Sequence, residues 1–103
     1  MLSVVVENCA KKCSEDTQEA FRVATLVGGI SVSVTHGKKV RNEACISFVS
    51  NGERTDWVVV LRNTEHRYSL MEQHGLIPGF DEKALLEFGK ACICAVRKTR
   101  AHG

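Results

Sequence analysis

Asn51-Gly52, between two alternating runs that reach from Glu43 to Arg62, constrains this chain more than any other feature. Asn-Gly supplies the two positive-φ residues of a type I′ turn, so it fixes a two-residue hairpin. With Ser50 and Glu53 flanking the turn, Phe48 pairs with Thr55, Ile46 with Trp57 and Ala44 with Val59. One face of the ribbon is then Ala44, Ile46, Phe48, Trp57, Val59 and Leu61. The other carries Cys45, Ser47, Val49, Arg54, Asp56, Val58 and Val60. Valines at Val49, Val58 and Val60 are more apolar than a solvent-facing sheet needs.

The pattern extends in both directions. Ile30-Ser31-Val32-Ser33-Val34-Thr35 alternates with period two and predicts a half-buried strand with Ile30, Val32 and Val34 inward. His36-Gly37-Lys38-Lys39 makes the turn into the next strand. Upstream, Val6, Cys9, Ala10, Cys13, Ala20, Phe21, Ala24 and Val27 hold one face at about 100° per residue. They predict a helix from Ser3 or Val4 to Val27, closed by Gly28-Gly29. Ser14-Glu15-Asp16-Thr17 is its weak point, where Asp16 with Glu19 forms a capping box able to start a second helix. Val4-Val5-Val6 also suits a short strand.

Tyr68, Leu70 and Met71 satisfy neither period, and Asn63 to His74 is assigned a short helix stopped by Gly75, with a fourth strand as the alternative. Asp81 is the expected N-cap of the last helix, and Phe80 is placed to staple onto Leu85. In that helix Lys83, Glu87, Lys90, Arg97 and Lys98 form a narrow polar strip. Apolar residues, including Leu86 and Ile93, fill an arc of about 220°, twice the stripe that one sheet face buries. Such a helix needs contacts on two sides.

At 103 residues, 44% hydrophobic and 25% charged, the chain has material for one core, so residues 1–103 are expected to be a single domain. The fold class that follows is α+β: an antiparallel meander of three to four strands, packed on one face by N-terminal and C-terminal helices in the order α-β-β-β-α. Five cysteines, an odd number of which several lie in helical contexts, argue against a secreted disulfide framework. With no run of 18 apolar residues and no signal-like N-terminus, a cytoplasmic protein without a membrane partner is expected.

Chemistry is harder to find. Cys9 and Cys13 have a metal-gripping spacing but lie in the apolar stripe, where cysteine behaves as a small hydrophobe. Cys92 and Cys94 point about 200° apart on a helix. Cys94 alone joins the polar strip. His36, His66, His74 and His102 fall in turns, at element ends or in the tail, without a fixed carboxylate. No phosphate loop, nucleophile elbow or H-E-x-x-H is present. No catalytic residue, cofactor, metal or small-molecule substrate is therefore assigned.

Two surfaces remain. Lys38, Lys39, Arg41 and Arg54 gather on the hairpins and could track phosphate. The element order is similar to that of double-stranded RNA-binding domains, which read shape and phosphates. Where such domains place lysines at the start of the last helix, this chain has Asp81-Glu82, which repel phosphate. The net charge of +2 is too mild to decide. The apolar surfaces, Val49, Val58 and Val60 on the sheet and Leu86 and Ile93 on the helix, point to a protein interface. The expectation is a non-enzymatic binding module of the inhibitor, immunity, adaptor or chaperone type, joined to a protein partner or to itself. Nucleic-acid binding is the alternative.

Overall fold

A computed structural model of the protein describes the backbone of residues 2–3, 6–36, 41–62, 67–73 and 77–102, and side chains within 6–35, 42–59 and 77–96. The chain runs β1 (Leu2–Ser3), α1 (Val6–Lys11), α2 (Glu15–Val27), β2 (Gly29–His36), β3 (Arg41–Ser50), β4 (Glu53–Arg62), β5 (Arg67–Gln73) and α3 (Glu82–His102). The strands form one antiparallel five-stranded sheet in chain order, β1-β2-β3-β4-β5. The class is α+β, with helices before and after the meander.

Asn51 and Gly52 adopt φ values of 52° and 80°, the positive pair that the type I′ turn requires. Ser50 faces Glu53, Phe48 faces Thr55, Ile46 faces Trp57 and Ala44 faces Val59, as the turn chemistry demands. On the other side of β3, Val32 pairs with Ile46 and Val34 with Ala44. Val32, Val34, Ala44, Ile46, Phe48, Trp57 and Val59 therefore share one buried face and join α1, α2 and α3 in a single apolar cluster. Trp57 Nε1 is buried there with no acceptor among the described residues.

The N-terminal region differs from the continuous helix that its stripe predicts. Leu2 and Ser3 pair with Val34 and Ser33 as a short edge strand, and the helix breaks between Lys11 and Glu15. Ser14, rather than Asp16, is the N-cap of α2: its backbone is extended and its carbonyl accepts the Gln18 N–H at 2.9 Å. Glu19, assigned to a capping box, instead pairs with Arg22. The Gln18 side chain donates to the carbonyls of Cys13 (2.8 Å) and Lys11 (3.3 Å), serving groups that the break leaves without helical partners.

Residues 67–73 form a strand, β5, and not a short helix. Val59 pairs with Leu70 and Val58 with Glu72, so the register skips Met71 at a bulge. One inserted residue breaks a period-two pattern, which is why Tyr68, Leu70 and Met71 fit no single period.

Asp81 caps α3 as expected: its Oδ1 accepts the Ala84 N–H at 2.7 Å and its carbonyl accepts the Leu85 N–H at 3.0 Å. Phe80 and Leu85 are both buried beside this cap. The wide apolar arc of α3 is covered from inside the molecule, because α3 packs on the sheet along one flank and on α1 and α2 along another. Phe88 shows the arrangement, with ring centroids 5.7 Å from Phe21 of α2 and 5.7 Å from Phe80. Ile93 is 0% exposed and is a core residue, so it is not available to a partner. Leu86 is half-buried against the same cluster.

Where α3 crosses β4, Gly89 lies so close that an added Cβ would stand 2.6 Å from both Cβ and Cγ2 of fully buried Val59. Alanine would gain about 1 kcal/mol of helix propensity. The clash falls on a β-branched side chain with little rotamer freedom, and overpacking of this kind costs about 1–3 kcal/mol. Gly89→Ala is therefore expected to destabilise the protein by up to about 2 kcal/mol net, seen as a lower urea midpoint at unchanged m-value. A neutral or stabilising result would mean that the crossing is looser than described.

Candidate functional site

Strand alternation sends Ser31, Ser33 and Thr35 of β2, Glu43, Cys45, Ser47 and Val49 of β3, and Arg54, Asp56 and Val58 of β4 to the side opposite the helices. All the helices bury their apolar residues in the single core, and no described element packs over this second face. Register aligns the face in rows. Ser31, Ser47 and Asp56 form one, and Ser33, Cys45 and Val58 form the next.

A compact polar network occupies the hairpin half of the face. Ser47 Oγ donates to Asp56 Oδ1 at 2.7 Å, Arg54 Nε donates to the same oxygen at 2.9 Å, and Arg54 Nη2 reaches Ser47 Oγ at 3.2 Å. The hydrogen bond and then the charge of Asp56 hold the guanidinium even more firmly protonated than usual. The pair is surface-exposed and worth little in stability, but it cancels the charge of its own patch. Ser47 is buried beneath it without any covering layer.

Of the residues assigned to a protein interface, Val49 is 46% exposed and Val58 is half-buried on this open face. The side chain of Val60 lies outside the described residues. Leu86 and Ile93 belong to the helical layers. Two exposed residues were not anticipated: Leu26 (74%) and Val27 (54%), at the end of α2, with Val27 read from the sequence as part of the buried stripe. Ser50 Oγ donates to the Val27 carbonyl at 3.1 Å, which ties this end of α2 to the hairpin. The phase of Thr17, Ala20 and Ala24, the buried positions of α2, already leaves Leu26 off the stripe.

The basic candidates do not assemble into a described site. Lys38 and Lys39 lie outside the described residues, and Arg41 is described only as the start of β3, opposite Arg62. Arg54 is committed to Asp56 and Ser47. The histidine side chains of His36, His66, His74 and His102 also lie outside the described residues.

Three thiols converge in the core. Cys13 Sγ donates to the Cys9 carbonyl at 3.4 Å and points at the Glu87 carbonyl at 3.9 Å, while Cys9 and Cys92 share a hydrogen bond. Burial pushes all three thiols up, Cys13 to about 11 with help from the Glu87 charge. They are thus protonated near neutral pH, unlike an activated nucleophile. Among the described residues no group of three or more His, Cys, Asp or Glu is placed to hold a metal ion. Cys45 and Cys94 are half-exposed, Cys94 in a groove of about 350 Å³ with Lys12, Glu87 and Lys90.

Glu87 of α3 caps α2 from a different helix. Its carboxylate accepts the Ser14 backbone N–H, with the Ser14 and Thr17 hydroxyls beside it, and that first hydrogen bond does most to hold its pKa below the usual carboxylate range. A depressed folded-state pKa contributes stability above the unfolded value and loses it as pH falls through the folded one. Glu87→Ala is therefore expected to cost about 1 kcal/mol at neutral pH, in line with other lost N-caps. The gap from wild type should begin to narrow as pH falls below the ordinary carboxylate value of about 4.3, and close as pH falls through the lower folded-state pKa. A gap independent of pH would assign the loss to packing alone. No family model matches the chain, and neither a curated protein nor a solved structure resembles it.

Proposed function

We propose that the protein is a non-enzymatic binding module that engages a protein through the open face of its sheet. The supporting observation is the asymmetry of the two sheet faces: every described helix lies on one, while the other presents Val49 and Val58 around a centre where Arg54 and Asp56 are ion-paired. Valines on an uncovered sheet face are a docking feature, since burying a fully exposed one contributes roughly 1.5–3 kcal/mol and a half-buried one less. The same centre disfavours phosphate, because Arg54 would have to abandon Asp56 to reach it. Among the described residues no helix is long and apolar enough to cross a membrane.

Affinity capture from the native cell with wild type, Val58→Lys and the triple variant Lys38→Gln/Lys39→Gln/Arg41→Gln tests this reading. A lysine in a desolvated apolar contact should cost at least about tenfold in affinity. Val58→Lys should thus lose the captured protein, and the triple variant should keep it after nuclease treatment. Capture that needs nucleic acid and disappears only in the triple variant would replace the reading with nucleic-acid binding.

A further inference from the structure

We infer that the occupant of the open face is a second copy of this chain, stacked sheet on sheet about a two-fold axis that passes beside Cys45. The inference rests on the reading of that face as a protein interface and names the partner.

Area is the first argument. The strands span 2, 8, 10, 10 and 7 residues in sheet order. At a strand spacing near 4.8 Å and a rise near 3.3 Å each residue covers about 16 Å², so the face measures roughly 600 Å² in plane. Two such faces remove about 1,200 Å² before side-chain relief is counted, which reaches the range of stable interfaces. A small ligand or a single peptide strand would leave most of it uncovered.

Shape and charge are the second. The central rows carry Ser31, Ser33, Cys45, Ser47, Asp56 and Val58, side chains short enough for two sheets to approach the ~10 Å separation of a sandwich, with Arg54 turned along the face onto Ser47 and Asp56. An isologous contact places each patch on its own image, so a patch of net charge repels itself. Here Arg54 and Asp56 neutralise each other within 2.9 Å, which leaves the half-buried Glu43, one row beyond Cys45, as the remaining charged side chain described on the face. Under a two-fold axis each copy also offers the other both signs.

The position of the axis follows from overlap. β3 is the middle strand of the sheet, and Cys45 is midway along Arg41–Ser50, so Cys45 is the centre of the face. Maximal two-fold overlap sets Cys45 of one copy opposite Cys45 of the other. At sheet separation the Cα atoms are about 10 Å apart, beyond the ~7 Å limit for a disulfide, yet the thiols face across the gap.

The full chain should therefore sediment at micromolar concentration with twice the mass of one chain. A short bifunctional thiol reagent should yield a covalent dimer from wild type and Cys94→Ala, and none from Cys45→Ala. Val58→Lys, at a half-exposed site, should remain folded and weaken self-association tenfold or more. Because the cross-link is read on wild type, the test does not depend on the lysine variant folding. A monomer at all accessible concentrations, or a dimer whose cross-link needs Cys94 and not Cys45, overturns the inference. A monomer that still captures a different protein in a Val58-dependent way would leave the binding-module reading standing and remove the second copy. Loss of both would remove both.

Discussion

Register at the Asn51-Gly52 turn is the constraint on which the rest depends. In a ladder of period two, a slip of one residue on either strand exchanges its faces completely. In the register observed, Ile46, Trp57 and Val59 enter the core together, and Cys45, Ser47, Asp56 and Val58 leave it together. β2 then docks its own inward residues, Val32 and Val34, against Ile46 and Ala44, extending the same two surfaces. The location of the core and that of the open face are one decision, made by two residues whose backbone prefers positive φ.

The helical side shows how a small chain uses a helix that is apolar over most of its circumference. α3 packs on the sheet beside α1 and α2, which themselves touch β2, so both flanks of its arc are buried within the chain. Closeness is set on one side by Gly89 against Val59. On the other side Glu87 reaches out from α3 to the N-terminus of α2, and Cys92 meets Cys9 of α1. The break after Lys11 belongs to the same arrangement: it creates the helix start that Glu87 caps. These contacts explain the thiols as packing groups, since burial disfavours the charged form.

Legibility followed locality. The hairpin, the β2 alternation and the Asp81 cap were readable because each is decided within a few residues by turn or cap chemistry. β5 was not, because a bulge at Met71 interrupts the period that a reader counts. The break at Ser14 was visible as a weak point, but its cap was misplaced to Asp16, since the stabilising partner, Glu87, lies 73 residues away. Ile93 was assigned to an interface for the same reason: the arc of α3 was read correctly, and the layer that covers it is non-local. Of the open face, Val49 and Val58 were legible from alternation. The Ser47–Asp56–Arg54 network was not, because it depends on side-chain rotamers that alternation leaves open.

The central claim, that the turn fixes which residues face outward, is tested most directly by cross-strand nuclear Overhauser effects. In a two-residue hairpin the flanking pair is hydrogen bonded, so the pairs Ser47 with Asp56 and Cys45 with Val58 fall at the close, non-hydrogen-bonded positions, with Cα atoms about 4.5 Å apart. Strong Hα–Hα cross-peaks are predicted for both. Cross-peaks that join Ser47 to Thr55 or to Trp57 instead would show a slipped register, and would contradict both the core and the open face described.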